Sequence, residues 1–152
     1  MEALLKAYKE KGLTLGSVES MTGGLFSAKF TEIPGSSAVF KGGIVTYSSE
    51  EKVNIVGVKK ETIEKYGVVS KEVAMEMAEL GRKLLNVDVC VSVTGNAGPT
   101  CEPGGKPAGC FYVGISSKNG TDAKEYFQPQ KRNIVRNEAV LAMRDLAYLK
   151  VI

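Results

Sequence analysis

The sequence predicts one α/β domain: a three-layer α/β/α arrangement with a mixed, mostly parallel sheet and a C-terminal β-hairpin plus helix. Three observations predict it. A strand-like segment at residues 13–19 is followed directly by a helical period over residues 23–33, as in the first half of a βαβ unit. Residues 87–95 form a nearly continuous β-branched run, typical of a central parallel strand covered on both faces. Asn119-Gly120 lies between two alternating segments, which is a hairpin pattern.

Composition supports a single globular domain over residues 1–152 and narrows its partners. Of these residues, 43% are hydrophobic and 24% are charged. The net charge of +3 comes from scattered Lys and Arg without a dense basic run, so we expect a small anionic ligand and no nucleic acid. No apolar run approaches the roughly 20 residues that cross a bilayer. We therefore expect no membrane association and a cytoplasmic protein.

The cysteine and histidine content argues against two kinds of site. The three cysteines lack CxxC spacing and histidine is absent, so neither a disulfide framework nor a common zinc site is indicated. Cys90 and Cys110 lie in apolar runs, where we expect them to pack as small hydrophobic side chains.

The first third of the chain reads in order as helix, strand, helix and strand. The amphipathic segment at residues 1–12 predicts a helix, and the first βα unit follows it. In residues 34–48 a Pro-Gly turn precedes a strand interrupted by Gly42 and Gly43. Adjacent glycines inside a strand indicate a bulge or a close backbone approach.

Serine caps predict the next two helices. Ser48 and Glu51 have the S-x-x-E spacing of a capping box, which predicts a short helix at about residues 52–55. Ser70 is the predicted cap of a longer helix. The inward stripe predicted for that helix consists of Val73, Met77, Leu80 and Leu84.

The last third contains a long loop, a hairpin and a helix. Residues 96–109 are rich in Gly and Pro without a pattern of their own, and loops this long in compact domains tend to be functional. The hairpin over residues 110–127 should add antiparallel strands to the sheet. The final helix, about residues 131–149, carries Arg132 and Arg136 one turn apart near its start. Its predicted inward residues are Val135, Ala139, Ala142, Met143 and Leu146.

Polar residues gather where three predicted strands end, which is where open α/β sheets bind ligands. The three turns are ESMTGG, TYSSEEK and TGNAGP. They supply Ser20, Thr22, Tyr47, Lys52 and Thr94. None is a Walker A motif or a GxGxxG fingerprint, so a nucleoside triphosphate or dinucleotide site has little support from motifs.

A hydroxyl nucleophile in this chain needs a base other than histidine, and lysine is the main candidate. The base must lose its proton near neutral pH, which requires lowering the lysine pKa from about 10.4 toward 7, or roughly 4 kcal/mol. Such a lysine has to be desolvated beside the serine. Lys52 follows a capped turn near Tyr47 and suits this role, whereas Lys106 in the Gly/Pro loop is a weaker candidate.

Each of these residues also has a structural interpretation. Serine before a helix is commonly an N-cap, which would explain Ser20 without chemistry. Tyr47 and Lys52 could be a half-buried strand aromatic and a solvated helix residue, and Thr94 could satisfy a strand end. Arg132 and Arg136 could lie on an exposed helix face. From the residues alone, the sequence indicates an α/β enzyme or an anion-binding module with its site at the strand ends.

The chain also contains several motifs of one known family in the same order. ESMTGG, PGSS and GIVTYSSEEK occur within residues 19–52, and GVVSKEVAMEMA and VTGNAGPTCEPGGKPAG follow. On these segments the sequence resembles the C-terminal domain family of competence-damage-inducible protein A (CinA), whose stand-alone members are nicotinamide-nucleotide amidases. Members are also found fused to an N-terminal nucleotide-processing domain.

The resemblance implies hydrolysis of nicotinamide mononucleotide to nicotinate mononucleotide and ammonia, without a metal or other cofactor, in a homo-oligomer. It implies that Ser20 is the nucleophile and Lys52 the base, with Tyr47 in support. Arg132 is preferred over Arg136 as the arginine that completes the site. The residues expected around the substrate are Thr22, Gly23, Gly24, Ser37, Thr94, Gly95, Arg132 and Arg136.

Two roles and one alternative stay open at this stage. Backbone N–H groups of residues 22–24, or of Gly95 and Asn96, could hold the oxyanion. Glu19 could orient Lys52 or simply end the strand. The sequence departs from the family pattern at Met21, where we expect a packing position and a mild effect. It also departs at Asn96 and the TCEPGG segment, which leaves substrate preference open. The alternative is a non-catalytic nucleotide-binding module of the same fold.

Overall fold

A computed structural model, which describes residues 1–152, has one five-stranded mixed sheet in the order β2-β1-β3-β4-β5. β1 pairs in parallel with β2 and β3, while β4 is antiparallel to β3 and β5. Four strands therefore run in one direction and β4 alone runs against them, which confirms the mixed, mostly parallel sheet. The strands are β1 (Leu15–Glu19), β2 (Phe40–Val45), β3 (Val89–Gly95), β4 (Cys110–Ser117) and β5 (Gly120–Phe127).

Helices cover both faces of this sheet, as the three-layer prediction requires. They are α1 (Glu2–Lys11), α2 (Leu25–Thr31), α3 (Ser49–Glu51), α4 (Lys60–Tyr66), α5 (Lys71–Leu85) and α6 (Arg132–Leu149). Side chains of α1, α2 and α6 form one core cluster with Val91 of β3. Those of α5 form another with Val18 and Cys90. Successive residues of a strand point to opposite faces, so β3 supplies both clusters. None of the helices has both the length and the apolar character needed to span a membrane.

The strand order changes direction at β1. The chain leaves β1 for β2 on one side and then crosses to β3 on the other. In an open α/β sheet such a reversal leaves a crevice beyond the carboxyl ends of the strands. The parallel register pairs Glu19 with Val45 and with Val93, so three strands end together at this crevice.

Glycines in β2 allow close packing on its neighbours, as predicted. The β1–β2 register shifts by one residue, because Leu15 pairs with Phe40 and Gly16 with Gly42. A Cβ on Gly43 would run into the hydroxyl of Ser27 on α2. Here glycine is required by the nearby helix.

The predicted stripe of α5 is correct at its start and wrong at its end. Ser70 accepts a hydrogen bond from the backbone N–H of Val73 at 3.2 Å, and Met77 is fully buried. Leu84 is 57% exposed, and Leu85 packs against the core instead. The 3.6-residue period carries the buried face from Gly81 to position 85, one residue beyond the predicted one.

The hairpin turn lies one residue earlier than Asn119-Gly120. Ser117 pairs with Gly120, so Lys118 and Asn119 form the two-residue loop and Gly120 begins β5 at φ 120°.

Helix α4 was not predicted, because the residue that caps its start belongs to another helix, α5. The carboxylate of Glu76 accepts from the Lys59 N–H at 2.9 Å.

Candidate functional site

Ser20 follows β1 directly, at the crevice where three strands end. Its N–H donates to the carbonyl of Val93 at 3.1 Å, and the side chain is almost buried. The N-cap position of α2 is Gly24, and no side chain caps that helix from there. The capping interpretation of Ser20 is therefore wrong, and its hydroxyl is directed to another partner.

That partner is Lys52. Its Nζ lies 2.8 Å from the Oγ of Ser20 and donates to the carbonyl of Thr46 at 3.0 Å. The Lys52 side chain is only 1% exposed and forms no ion pair. Because burial disfavours an ammonium ion, the pKa of Lys52 is lowered from 10.5 to about 8. Roughly a tenth of this amine is therefore uncharged at pH 7, far more than for a lysine in water.

The local backbone explains how a lysine comes to point inward. Ser48 is the N-cap of α3 and accepts from the N–H of Glu51 at 3.1 Å, as predicted. Residues Lys52–Val56 then form a π-helical turn that ends at Gly57, which has φ 91°. Such wide turns are rare and often lie at functional sites.

Glu19 does not orient Lys52. It is fully buried, and its carboxylate accepts four hydrogen bonds from the segment that follows Ser20. The donors are the Oγ of Thr22 at 2.7 Å, the N–H of Phe26 at 2.8 Å, and the N–H and Oγ of Ser27 at 3.1 and 2.7 Å. A carboxylate suits the positive end of α2. Glu19 thus fixes the turn that carries Ser20.

A cavity of about 310 Å³ opens onto Ser20 and Lys52. The predicted residues Tyr47, Thr94, Gly95 and Arg132 all line it. Thr94 is buried, and its hydroxyl donates to the Val68 carbonyl at 2.9 Å. Other lining residues are Met21, Ser48, Ser49, Val68, Val69, Asn96, Ala97, Gly98, Thr100 and Glu102. No group of three or more Cys, Asp and Glu side chains has an arrangement that could hold a metal ion.

The two arginines of α6 have different positions. Arg132 lines the cavity, where it donates to the Tyr47 hydroxyl at 2.9 Å and to the Gly98 carbonyl at 2.7 Å. Arg136 donates to the carbonyls of Met21 and Thr22 at 3.2 and 2.9 Å. Arg132 therefore borders the cavity, whereas Arg136 braces the turn behind Ser20.

Five predicted substrate residues do not line the cavity. They are Arg136, Thr22, Gly23, Gly24 and Ser37. The Thr22 hydroxyl is directed to Glu19, and the N–H of Gly23 donates to the Ser20 carbonyl at 3.0 Å. Ser37 is exposed on a 3-10 turn (Ser36–Ala38) that precedes β2, at the opposite end of the sheet from Ser20. A segment that leads into the amino end of a parallel strand cannot reach the carboxyl ends.

Sequence reasoning missed two features of the cavity: the apolar residues in its lining and the hydrogen bond that holds the long loop. Among the apolar lining residues are Val68 and Val69, which precede the α5 cap and belong to no motif that would mark them as site residues. Asn96 donates to the carbonyl of Lys106 at 2.7 Å, so a residue that departs from the family pattern ties the two ends of the loop together. A buried carbonyl, that of Thr46, could not be assigned to Lys52 before the fold was known.

Thr46 also provides a stability prediction. Its Oγ is fully buried with no hydrogen-bond partner, the only such side-chain atom in the chain. Because a buried unpaired hydroxyl is unfavourable, Thr46→Val is expected to raise the free energy of unfolding by about 1 kcal/mol. Chemical denaturation at pH 7 measures this. Thr94→Val, which removes a bonded hydroxyl, is the matched control and should lower stability; a loss in both variants would contradict the prediction.

Comparisons with known proteins find relatives over most of the chain. A family model described as the CinA C-terminal domain matches residues 1–149. A CinA-like protein of Leptospira borgpetersenii is 45% identical over 139 residues, which make up 91% of this chain and 33% of that protein. The chain thus spans about a third of the length of the curated relatives it matches.

Solved structures are similar over nearly the whole chain. A competence or damage-inducible protein from Enterobacter asburiae has a TM-score of 0.96 at 26% identity, covering 99% of this chain and 95% of that one. A competence/damage inducible protein from Agrobacterium tumefaciens has a TM-score of 0.91 at 32% identity, with 95% and 89% covered.

Proposed function

The chain belongs to the CinA C-terminal domain family, and on that premise we propose that it hydrolyses the carboxamide of nicotinamide mononucleotide. One observation carries the proposal. Ser20 Oγ lies 2.8 Å from the Nζ of a buried lysine whose pKa is lowered to about 8, at the base of an open cavity. A hydroxyl in contact with an uncharged amine is the arrangement that an acyl-transfer nucleophile needs.

The reaction has two halves. Ser20 Oγ attacks the amide carbon while the Lys52 lone pair takes the hydroxyl proton. Lys52 then gives this proton to the departing nitrogen, which leaves as ammonia, and an ester to Ser20 remains. Water attacks the ester with Lys52 again as base, nicotinate mononucleotide leaves, and the Ser20 hydroxyl is restored. Thr46 keeps the amine in place throughout, because its carbonyl accepts an Nζ proton in either charge state.

The tetrahedral intermediate needs donors for its oxyanion, and the turn after Ser20 supplies candidates. The N–H groups of Met21, Thr22 and Gly24 have no acceptor within the protein, whereas those of Gly23 and Asn96 are bonded. Met21 also lines the cavity. We therefore assign the oxyanion to the N–H of Met21.

Arg132 is the proposed contact for the 5′-phosphate. Its guanidinium has five N–H donors and uses two of them on Tyr47 and Gly98, which leaves further donors for an anion. Tyr47 is 63% exposed, and its hydroxyl accepts from Arg132 and forms no hydrogen bond with Ser20 or Lys52. Its proposed role is accordingly to position Arg132 and the substrate and not to transfer protons.

The decisive experiment measures ammonia release from nicotinamide mononucleotide in the presence of EDTA. Ser20→Ala is the control, and nicotinamide and nicotinamide adenine dinucleotide are the comparison substrates. We expect ammonia from the mononucleotide with the wild type only. Activity on nicotinamide alone would redirect the assignment to a free-base amidase. Saturable binding without ammonia would identify a non-catalytic nucleotide-binding module.

The pH profile tests the role of Lys52. A base with a pKa of about 8 is roughly a tenth deprotonated at pH 7, so kcat/KM should rise with pH and level off above about 8. Measurements begin above pH 6.5, because the substrate phosphate titrates near pH 6. A profile that is flat or falling between pH 6.5 and 9 would rule out Lys52 as the base.

A further inference from the structure

Glu102 is the only acidic residue that lines the cavity around Ser20. It also borders a neighbouring cavity of about 600 Å³, with which the first shares Val68, Val69 and Asn96. Its carboxylate makes no ion pair, and the one hydrogen bond of Glu102 is accepted by its backbone carbonyl from Gly105 at 2.9 Å. The carboxylate of Glu102 is thus an unpaired negative charge at the boundary between the two cavities.

The loop that carries Glu102 is held by three separate contacts. Glu102 begins a turn with Pro103 and Gly104 at its centre, and Gly104 has φ 76°, as type II turns require. Asn96 ties the end of this segment through the carbonyl of Lys106. Arg132 holds its beginning through the Gly98 carbonyl. The backbone that carries Glu102 is therefore held in place at the edge of the cavity.

None of the nearby cations forms an ion pair with Glu102. The Nζ of Lys106 lies 5.8 Å from the ring centroid of Tyr112, and that of Lys65 lies 5.2 Å from the ring centroid of Tyr66. Arg132 is bound to Tyr47 and Gly98. The negative charge of Glu102 is thus available to a bound ligand.

This inference rests on the proposed function and names what sets its substrate class. In an oxidised nicotinamide nucleotide the ring nitrogen is bonded to ribose and carries a positive charge. Free nicotinamide and the reduced nucleotide have neutral rings. We infer that Glu102 is a specificity-determining residue that selects the cationic ring. The lining thus includes the anionic Glu102 beside the cationic Arg132 and Lys52, and a carboxylate and a guanidinium in one cavity match a ligand with a cationic ring and an anionic phosphate.

The expected effect follows from Coulomb's law. Opposite unit charges about 4 Å apart attract by about 1 kcal/mol in bulk water and by more beside a protein surface. This corresponds to roughly a five- to tenfold difference in Kd. Glu102 forms no hydrogen bond or ion pair with Ser20 or Lys52, so the loss of its charge should act on binding and not on the chemical step.

The test compares oxidised with reduced nicotinamide mononucleotide, which are similar in size and differ in ring charge by the addition of one hydride. Calorimetric Kd values are measured at pH 8 with Ser20→Ala, which cannot turn the ligand over, alone and combined with Glu102→Gln. We expect Glu102→Gln to weaken binding of the oxidised form five- to tenfold and to leave binding of the reduced form unchanged. Glu10→Gln, which removes an exposed charge on α1, is the matched control and should change neither.

Each other outcome has a definite meaning. Equal weakening of both forms, or of neither, would overturn the role of Glu102 while leaving the proposed function intact. Failure of Ser20→Ala to bind either form would overturn the proposed function, and the inference with it. Glu102 is exposed, and a thermal melt of Glu102→Gln should match that of the parent.

Discussion

Lys52→Met is expected to be inactive and yet more stable than the wild type at pH 7. Methionine fills a similar space without an amine, so the base for Ser20 is lost and kcat/KM should fall by at least about 10³-fold. At the same time the protein no longer has to bury an ammonium ion. The pKa of Lys52 is about 8 instead of 10.5, which means that the protonated form costs about 3 kcal/mol in the folded state.

The direction in which stability changes with pH follows from the number of protons that the folded and unfolded states bind. Between pH 8 and 10.5 the unfolded chain keeps the lysine proton and the folded chain does not, so wild-type stability rises with pH through this window. Below pH 8 both states are protonated and the full cost is present. Some of the gain is offset because Thr46 loses the donor for its carbonyl. We therefore expect Lys52→Met to gain about 1–3 kcal/mol at pH 7.

Urea denaturation from pH 7 to 10 checks this result. The difference in unfolding free energy between wild type and Lys52→Met should shrink as pH rises. Lys60→Met, which replaces an exposed lysine on α4, controls for the loss of a charge and should show no such trend. Lower stability of Lys52→Met at pH 7, with a pH-independent difference, would contradict the buried, low-pKa amine.

Glu19→Ala should have the largest effect on stability. It leaves four donors around a fully buried position without their acceptor, and bonds to a charged group are each worth about 1.5–3 kcal/mol. A loss of about 3–5 kcal/mol is expected, which is a large part of the 5–15 kcal/mol typical of a domain. Glu19→Gln keeps one acceptor and should lose less.

Activity measurements on Glu19→Gln distinguish a positioning role of Glu19 from a purely structural one. Glu19 holds the turn after Ser20, so Glu19→Gln should lower kcat at a temperature where the variant is fully folded. The pH at half-maximal kcat/KM should stay near 8, because the burial of Lys52 does not depend on Glu19. Ser27→Ala, which removes one of the four bonds, is the milder control. Unchanged kcat in folded Glu19→Gln would mean that the carboxylate serves the fold alone.

Local patterns were sufficient to predict most of the fold. Helical and strand periods, serine caps at Ser48 and Ser70, and the glycine pair of β2 depend on neighbours close in sequence, and the structure agrees with them except at Leu84, the end of the α5 stripe. The rule that strand ends gather ligand groups brought Ser20 and Lys52 together as candidates, and they lie in contact. The α4 helix was missed because Glu76, from another helix, supplies its cap.

The surroundings of the site could not be predicted in the same way. Thr22 looks like a ligand residue in sequence, but its hydroxyl belongs to Glu19, a pairing that depends on how tightly the turn closes. Ser37 lies in a family motif, yet strand direction carries it to the far end of the sheet. Which arginine faces the cavity depends on the rotation of α6. These are properties of the assembled tertiary structure.

The contacts of α6 also bear on when the site forms. Arg132 reaches back 85 residues to Tyr47, and Arg136 holds the turn beside Ser20. A ribosome adds about 5–20 residues per second, so roughly 4–17 seconds pass between synthesis of Tyr47 and of Arg132. During that interval the nascent chain already contains both its serine and its lysine but lacks the helix that braces them. The pocket is thus completed late in the synthesis of each molecule.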